Sequence, residues 1–125
     1  MSTTSAFAIV GHVGRNVFPK AFRLRTSADF KKVYEGGTKR ASRCFVLFAL
    51  RNGLDRSRFG LTTSRKVGKA HDRNKVKRWV REILRTSLTA IPKGFDFVVN
   101  PRRSATDRDF EDLRGELVAL LGAEK

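Results

Sequence analysis

The 125-residue chain carries 27 Lys and Arg residues against 12 Asp and Glu residues, a formal net charge of +15 at pH 7. This length predicts one compact domain, and the 40% apolar content can supply a single hydrophobic core. A surface so one-sided in charge repels itself, which indicates a polyanionic partner, either a nucleic acid or an anionic membrane. Only residues 104–125 are net acidic, with six acids and three bases, so the partner surface is expected elsewhere.

Cys44 is the only cysteine, which excludes an intrachain disulfide and a zinc site held by several cysteines. It lies in an apolar run and is predicted to be a small core residue of a protein kept in the reducing cytoplasm. No apolar stretch approaches the roughly 20 residues that a membrane-spanning helix needs, and residues 6–10 are too short for a signal-peptide core. Residues 1–18 are predicted to be a mobile extension before a single domain over residues 19–125.

The first predicted element is a helix that begins at Thr26, whose hydroxyl can cap its first turn. Phe30, Val33 and Tyr34 stand at helical spacing on it, and this spacing alone favours the interpretation that all three are core residues. The glycine pair at residues 36–37 is expected to end the helix.

Four strands are predicted further along the chain. A short edge strand over residues 39–42 precedes a nearly continuous apolar run over residues 44–50, which is typical of a buried strand. The turn residues 52–55 separate that run from a third strand over residues 58–64, and the two strands are expected to form an antiparallel hairpin with a longer loop. The fourth strand covers residues 95–99.

A long helix is predicted over residues 70–87, and a last helix follows the fourth strand. The apolar residues of the long helix form the stripe of an amphipathic helix: Val76, Trp79, Val80, Ile83, Leu84 and Leu88. Ser104 or Thr106 is expected to cap the last helix, whose apolar face comprises Phe110, Leu113, Leu117, Leu120 and Leu121. This order of elements predicts an α/β (α+β) sandwich in which three helices pack on a mixed sheet of about four strands.

The long helix and the residues just before it are strongly basic. Residues 65–85 carry nine bases and only two acids, Asp72 and Glu82. The bases are Arg65, Lys66, Lys69, Arg73, Lys75, Lys77, Arg78, Arg81 and Arg85. At about 100° per residue, a polar face lies opposite the apolar stripe. That face holds Asn74, Arg78, Arg81 and Arg85.

Bases four residues apart on one helix repel each other by about a few tenths of a kcal/mol per pair. This repulsion recurs three times along the series Arg73, Lys77, Arg81 and Arg85. A row of phosphate-binding side chains accounts for the pattern, because Arg makes bidentate contacts with phosphate. Two other interpretations stay open: a solvated basic face, and a helix lying on a membrane, although the sheet needs its apolar side.

The basic segment resembles the signature of the bacterial ribonuclease P protein subunit, with the sequence RKVGKAHDRNKVKR at residues 65–78 and WVREILR at residues 79–85. Earlier matches are Arg23-Leu24-Arg25, Asp29-Phe30, Val33-Tyr34, Gly37, Phe59-Gly60-Leu61 and Ser64-Arg65-Lys66. The resemblance covers roughly residues 19–121 in order. Two features depart from the family pattern. Lys75 stands where the family usually has Arg, which keeps the charge but loses the planar fork, and the N-terminal extension is longer than usual.

The resemblance implies two RNA-binding surfaces. The basic helix would hold the catalytic RNA of ribonuclease P through Lys69, Arg73, Asn74, Lys75, Lys77, Arg78, Arg81 and Arg85. A cleft between the first helix and the sheet would hold the single-stranded 5′ leader of precursor tRNA. Its residues would be Phe30, Tyr34, Phe48, Thr62, Ser64, Arg65 and Lys66, together with Arg73 as a further candidate. The family also implies an unusual left-handed connection from the strand at residues 58–64 to the strand at residues 95–99.

The sequence offers no candidate for autonomous catalysis, and neither catalytic nor metal-binding residues are assigned. The acids outside the last segment are scattered over different elements, and His71 has no predictable histidine partner. The expectation is that the RNA subunit positions Mg²⁺ and cleaves the leader, that the protein alone is inactive, and that it needs no obligatory protein partner. The competing hypothesis is a non-enzymatic RNA-binding module, such as a ribosomal protein or an RNA chaperone.

Overall fold

The structure of the protein, a computed structural model, describes residues 22–123. The predicted mobile extension over residues 1–18 lies outside them. The helices within the described range are α1 (Ser27–Gly36), α2 (Ala70–Thr86) and α3 (Phe110–Gly122), and the strands are β1 (Thr38–Ala41), β2 (Phe45–Arg51), β3 (Arg58–Leu61) and β4 (Phe95–Pro101). Short 3-10 helices occupy Arg65–Val67, Leu88–Ala90 and Arg103–Asp107. No helix in this part of the chain is long and apolar enough to cross a membrane.

The four strands form one mixed sheet in the order β1-β2-β4-β3. The β1–β2 and β2–β4 pairs are antiparallel, and β3 runs parallel to β4. The predicted hairpin between the second and third strands is therefore wrong, because β4 inserts between them. β4 is buried on both faces and is hydrogen-bonded to a neighbouring strand on each edge. The third strand also ends at Leu61, three residues earlier than predicted.

The helices pack on both faces of the sheet, which confirms the predicted α/β sandwich. On one face, Val33 of α1 packs with Leu24 and Val98 in a small core. On the other face, α2 and α3 cover the larger core, which includes Phe45, Leu47, Phe97 and Val99 from the strands. β3, α2 and β4 form the expected β–α–β unit; its left-handed sense stays a prediction.

The predicted apolar stripe of α2 is confirmed, since its buried residues are Val76, Val80, Ile83 and Leu84. The first helix also begins as predicted, because the Thr26 hydroxyl accepts a hydrogen bond from the Asp29 N–H at 3.1 Å.

The predicted cap of the last helix is wrong. Asp109 caps α3 by accepting a bond from the Asp112 N–H at 3.0 Å. The hydroxyl of Ser104 instead donates to the Arg43 carbonyl at 2.6 Å, and that of Thr106 to the Arg103 carbonyl at 2.8 Å. Both predicted caps belong to the preceding 3-10 helix, whose own hydrogen bonds compete with a longer α-helix.

The two edges of the sheet are protected in different ways. All four residues of β1 are exposed, and two of them are the bases Lys39 and Arg40. At the other edge, Arg23 bridges to Phe59 of β3, and the Leu24 N–H donates to the Phe59 carbonyl at 2.9 Å.

A buried acid fixes one end of β4. Asp96 is 6% exposed and accepts hydrogen bonds from Nε and Nη2 of Arg58 at 2.9 and 2.7 Å. The Nδ2 of Asn52 donates to the same carboxylate at 2.9 Å. The hydrogen bond with Asp96 raises the pKa of Arg58, although desolvation opposes it. The buried charge is thus paired and fully hydrogen-bonded, as a buried carboxylate must be.

A second carboxylate, that of Glu116 on α3, holds the turn between β1 and β2. It accepts a hydrogen bond from the Ser42 hydroxyl and another from the Cys44 N–H at 2.6 Å. Burial acts to raise the pKa of Glu116, but these hydrogen bonds and the charge of Arg108 outweigh it, so the pKa is lowered. Cys44 itself is fully buried, as predicted, and burial raises the pKa of its thiol.

The Glu116 contact predicts a pH-dependent loss of stability. Because the folded-state pKa lies below the unfolded value, the contribution is present above about pH 4.3 and fades as pH falls through the folded pKa. Glu116→Gln should lower the free energy of unfolding at pH 7 by about 1–2 kcal/mol, because it loses a charge-assisted acceptor. Urea denaturation at pH 7 and pH 3 should show a smaller difference in unfolding free energy between wild type and variant at pH 3 than at pH 7.

The matched control is Glu111→Gln on the same helix, whose side chain is 69% exposed and pairs with Arg114. It should change the free energy of unfolding by less than about 0.5 kcal/mol. Parallel pH profiles for wild type and Glu116→Gln would contradict the role assigned to Glu116.

The side chain missing at Gly60 allows α1 to approach the sheet. A Cβ at this position of β3 would lie 2.5 Å from Cε1 of Phe30 and 3.2 Å from Cδ1 of Leu24. Such distances are too short for non-bonded carbon atoms, so a larger residue would force the Phe30 ring or the strand to move.

Gly60→Ala should therefore destabilise the protein by about 1–3 kcal/mol, the usual cost of overpacking. Gly115→Ala is the matched control, because a Cβ at this helical position would have no neighbour within 4 Å. That variant should instead stabilise α3 by about 0.5–1 kcal/mol, since Ala replaces Gly inside a helix. Thermal and urea denaturation measure both; equal effects of the two substitutions would refute the close-approach explanation.

Candidate nucleic-acid interface

The N-terminal end of α2 is fixed by the segment that precedes it. The 3-10 helix Arg65–Val67 buries Val67, and Gly68 follows with a backbone carbonyl that accepts a hydrogen bond from Nη1 of Arg73 at 2.8 Å. Arg73 therefore folds back over this segment rather than extending outward. Arg65 and Lys66 remain exposed beside it.

The bases of α2 divide into exposed and internally engaged side chains. Arg78 and Arg81 are exposed and form no ion pair with any carboxylate among residues 22–123. Lys69 and Asn74 are also exposed, at and near the start of the helix. The apolar stripe faces the sheet, so this polar face is directed away from the core.

Two other predicted RNA-binding bases already have partners on α2. The Nζ of Lys75 lies 5.1 Å from the centroid of the Trp79 ring, which is the geometry of a cation–π contact. The Nε of Arg85 donates to Glu82 at 3.1 Å. This hydrogen bond raises the pKa of Arg85, with desolvation opposing it. Lys77 is half-buried on the flank of the helix.

A separate cleft opens on the α1 side of the sheet, with a volume of about 550 Å³. Its lining residues come from α1, β2, the segment after β3 and the end of β4: Tyr34, Phe48, Thr62, Thr63, Ser64, Asn100 and Pro101. The rings of Tyr34 and Phe48 meet edge to face, with centroids 4.8 Å apart and planes at 80°. The Nζ of Lys39 lies 5.9 Å from the Phe48 ring centroid, so a positive charge stands at the aromatic wall.

Three polar side chains are joined inside the cleft. The Tyr34 hydroxyl donates to Oδ1 of Asn100 at 3.0 Å, and the Thr62 hydroxyl donates to the same oxygen. The two hydroxyl oxygens lie 3.2 Å apart. These bonds fix the position of the Tyr34 ring, which is 39% exposed and therefore offers surface to a ligand.

The predicted cleft residues are only partly brought together. Tyr34, Phe48, Thr62 and Ser64 line the cleft, whereas Phe30 lines a different cavity of about 200 Å³, together with Gly60 of β3 and Arg81 of α2. Arg65 and Lys66 lie in the 3-10 helix directly after Ser64 and are not lining residues.

The sequence analysis missed Asn100, Thr63 and Pro101 as cleft residues. These residues follow β3 or end β4, which are parallel, and the residues after parallel strands meet at one end of a sheet. The only signal for them was the connection between these two strands that the family resemblance implies, and it was not extended to the cleft. Arg102 and Arg103, directly after Pro101, are also exposed bases that the analysis did not single out.

The described residues offer no evident metal site of their own. Between residues 22 and 123, no group of three or more His, Cys, Asp and Glu side chains is placed to hold a metal ion. The buried acid Asp96 is already satisfied by Arg58 and Asn52. The groups that these two surfaces expose are cations, aromatic rings, hydroxyls and an amide.

The comparisons with family models and with known proteins agree on one family. The family model described as Ribonuclease P matches residues 18–124. The ribonuclease P protein component of Thermotoga maritima is 44% identical over 108 residues, covering 83% of this chain and 92% of that protein. A Clostridium botulinum ribonuclease P protein component is 37% identical over 103 residues, covering 82% of this chain and 93% of that protein.

Solved structures agree with this assignment. The ribonuclease P protein from Thermotoga maritima superposes with a TM-score of 0.77 at 43% identity, covering 82% of this chain and 97% of that one. The Staphylococcus aureus ribonuclease P protein gives a TM-score of 0.76 at 34% identity, covering 85% and 97% of the two chains. The chain therefore belongs to the family of bacterial ribonuclease P protein components.

Proposed function

We propose that this chain is the protein subunit of a ribonucleoprotein ribonuclease P, which removes the 5′ leader of precursor tRNA by Mg²⁺-dependent endonucleolytic cleavage. One observation carries this proposal: the fold presents two RNA-compatible surfaces on different sides of one sheet. The exposed bases of α2 suit a structured RNA, and the aromatic cleft suits a single strand. A general RNA-binding module would need only the first surface.

The α2 surface is proposed to bind the catalytic RNA. Arg78 and Arg81 are exposed and without carboxylate partners in the described structure, so phosphates can pair with them without displacing an internal contact. Lys69, Arg73, Asn74 and Lys77 extend this surface. Lys75 and Arg85 stay in the proposed set, although binding must compete with Trp79 and Glu82 respectively.

The cleft is proposed to bind the 5′ leader. Tyr34 and Phe48 provide rings for stacking, which contributes about 1–3 kcal/mol per base without requiring one sequence. Thr62 and Ser64 supply hydroxyl groups, and Arg65 and Lys66 stand next to the cleft to bind phosphates. Phe30 is one helical turn from Tyr34 and borders the neighbouring cavity, so it can extend the same path.

The chemical step is proposed to belong to the RNA. Mg²⁺ would be bound mainly by the catalytic RNA, because the described protein residues do not form a metal-binding cluster. The net charge of +15 would screen repulsion between the catalytic RNA and precursor tRNA. The reaction would take place in the cytoplasm, with no obligatory protein partner.

Reconstitution tests this function directly. The protein freed of RNA should not cleave precursor tRNA, and adding ribonuclease P RNA with Mg²⁺ should restore removal of the 5′ leader at moderate ionic strength. The same RNA, rather than ribosomal RNA, should co-purify with the protein from cells. Metal-dependent cleavage that survives exhaustive removal of RNA would contradict an RNA-based active site.

Salt dependence tests the α2 surface. If about six bases contact phosphates, the plot of log affinity for ribonuclease P RNA against log salt should have a slope of magnitude roughly 4 to 6. Arg78→Gln and Arg81→Gln should each reduce that magnitude by about 1, because each removes one phosphate contact.

Arg114→Gln is the charge-matched control, since Arg114 lies on α3 and pairs with Glu111. Its slope should equal that of the wild-type protein. A nearly flat wild-type plot, or equal losses from all three substitutions, would argue against specific contacts along α2.

A further inference from the structure

Asn100 occupies a central position in the cleft. It is the sixth residue of β4, pairs with Val46 of β2, and follows Val99, whose carbonyl accepts a bond from the Thr62 N–H at 3.1 Å. β4 thus places its side chain between the wall formed by Tyr34 and Phe48 and the residues that follow β3.

The hydrogen bonds of Asn100 determine which groups the cleft can offer a ligand. Its Oδ1 accepts from the hydroxyls of both Tyr34 and Thr62, so each hydroxyl has used its single proton. The oxygens of Tyr34 and Thr62 then remain as acceptors. The Nδ2 group of Asn100 carries two N–H donors and bonds to no other residue within the range 22–123.

The cleft therefore presents two amide donors beside two hydroxyl acceptors, next to aromatic rings. A phosphate offers only acceptors and could bond to the amide donors but not to the hydroxyl acceptors, whereas a base edge offers donors and acceptors in a fixed order. A carboxamide is one of the side chains that distinguish base edges for this reason. Stacking on Tyr34 and Phe48 would supply affinity but would not distinguish among bases.

We propose that Asn100 is a specificity-determining residue of the leader cleft. Its Nδ2 donates to an acceptor on the edge of the leader base that stacks at Tyr34 and Phe48, so the cleft prefers some nucleotides at that leader position over others. This inference rests on the proposed binding of the leader. It adds a sequence preference, encoded by a single amide, to a site whose aromatic rings alone would accept any base.

The test uses the holoenzyme and a pool of precursor tRNAs with a randomised leader, and compares relative kcat/KM values across the pool. Asn100→Asp keeps the shape and the oxygen that accepts from Tyr34 and Thr62, but it replaces both donors with an acceptor. It should reduce or invert the preference at one leader position by about fivefold, the size of one hydrogen bond. Asn100→Ala, which adds no charge, should also flatten that preference.

Thr63→Asp is the matched charge control, because Thr63 lines the same cleft and has no part in the hydrogen bonds of Asn100. Its carboxylate should weaken all leaders together and leave their relative rates unchanged. Thermal melting and affinity for ribonuclease P RNA, measured for each variant, establish that the fold and assembly are intact.

Two outcomes would overturn the proposal. One is a wild-type holoenzyme that shows no preference among leader nucleotides. The other is an Asn100→Asp protein that keeps the wild-type preference, which would limit Asn100 to positioning Tyr34 and Thr62 even if Asn100→Ala lost it.

Failure of the leader site itself is measured separately, with Tyr34→Ala and with substrates that have or lack a leader. If the wild-type protein gains no affinity from a leader, both the proposed leader binding and this inference fail. If Tyr34→Ala loses leader affinity while Asn100→Asp keeps the wild-type preference, only the role of Asn100 fails.

Discussion

The burial of β4 is the constraint on which the other features depend. Phe97, Val98 and Val99 are completely buried, and successive residues of the strand face opposite layers. Val98 belongs to the core under α1, whereas Phe97 and Val99 belong to the core under α2 and α3. The strand is also hydrogen-bonded along both edges. The aromatic cleft and the basic helix are thus held in fixed relation by one strand, and a disturbance of β4 would reach both surfaces.

Burial of the apolar side of α2 offsets the charge repulsion between the bases on its polar side. Repulsion along the series from Arg73 to Arg85 opposes helix formation, but burial of Val76, Val80, Ile83 and Leu84 offsets it. At the C-terminal end of α2, the Glu82 carboxylate pairs with Arg85 and offsets its charge. In the middle of the helix, Arg78 and Arg81 form no ion pair with a carboxylate of the described residues. Their charges therefore stay available to an external anion in the folded protein.

Local patterns in the sequence predicted most of the elements, but not their neighbours in the sheet. The apolar stripe of α2 and the Thr26 cap are confirmed because periodicity and capping depend on residues three or four positions apart. The pairing of β4 between β2 and β3 depends on residues 38 to 56 positions apart, and no local signal specifies it. The same limit explains why only some of the cleft residues were predicted from the sequence. Tyr34 and Phe48 were predicted as cleft residues because the family resemblance implies them, whereas Asn100 is seen to line the cleft only in the structure, where β3 and β4 are adjacent.

The two edges of the sheet determine how readily the unbound protein could pair strands with another chain. An exposed strand invites pairing with another chain, and a protein made in the cell must avoid this while it is still unbound. Lys39 and Arg40 place charge on the outer strand β1, and the segment at Arg23 and Leu24 occupies the edge of β3. Sheet-to-sheet polymerisation is thereby opposed at both ends, by electrostatic repulsion at one and by occupied hydrogen-bonding groups at the other. Neither edge is therefore a favourable template for strand pairing with a second copy of the chain.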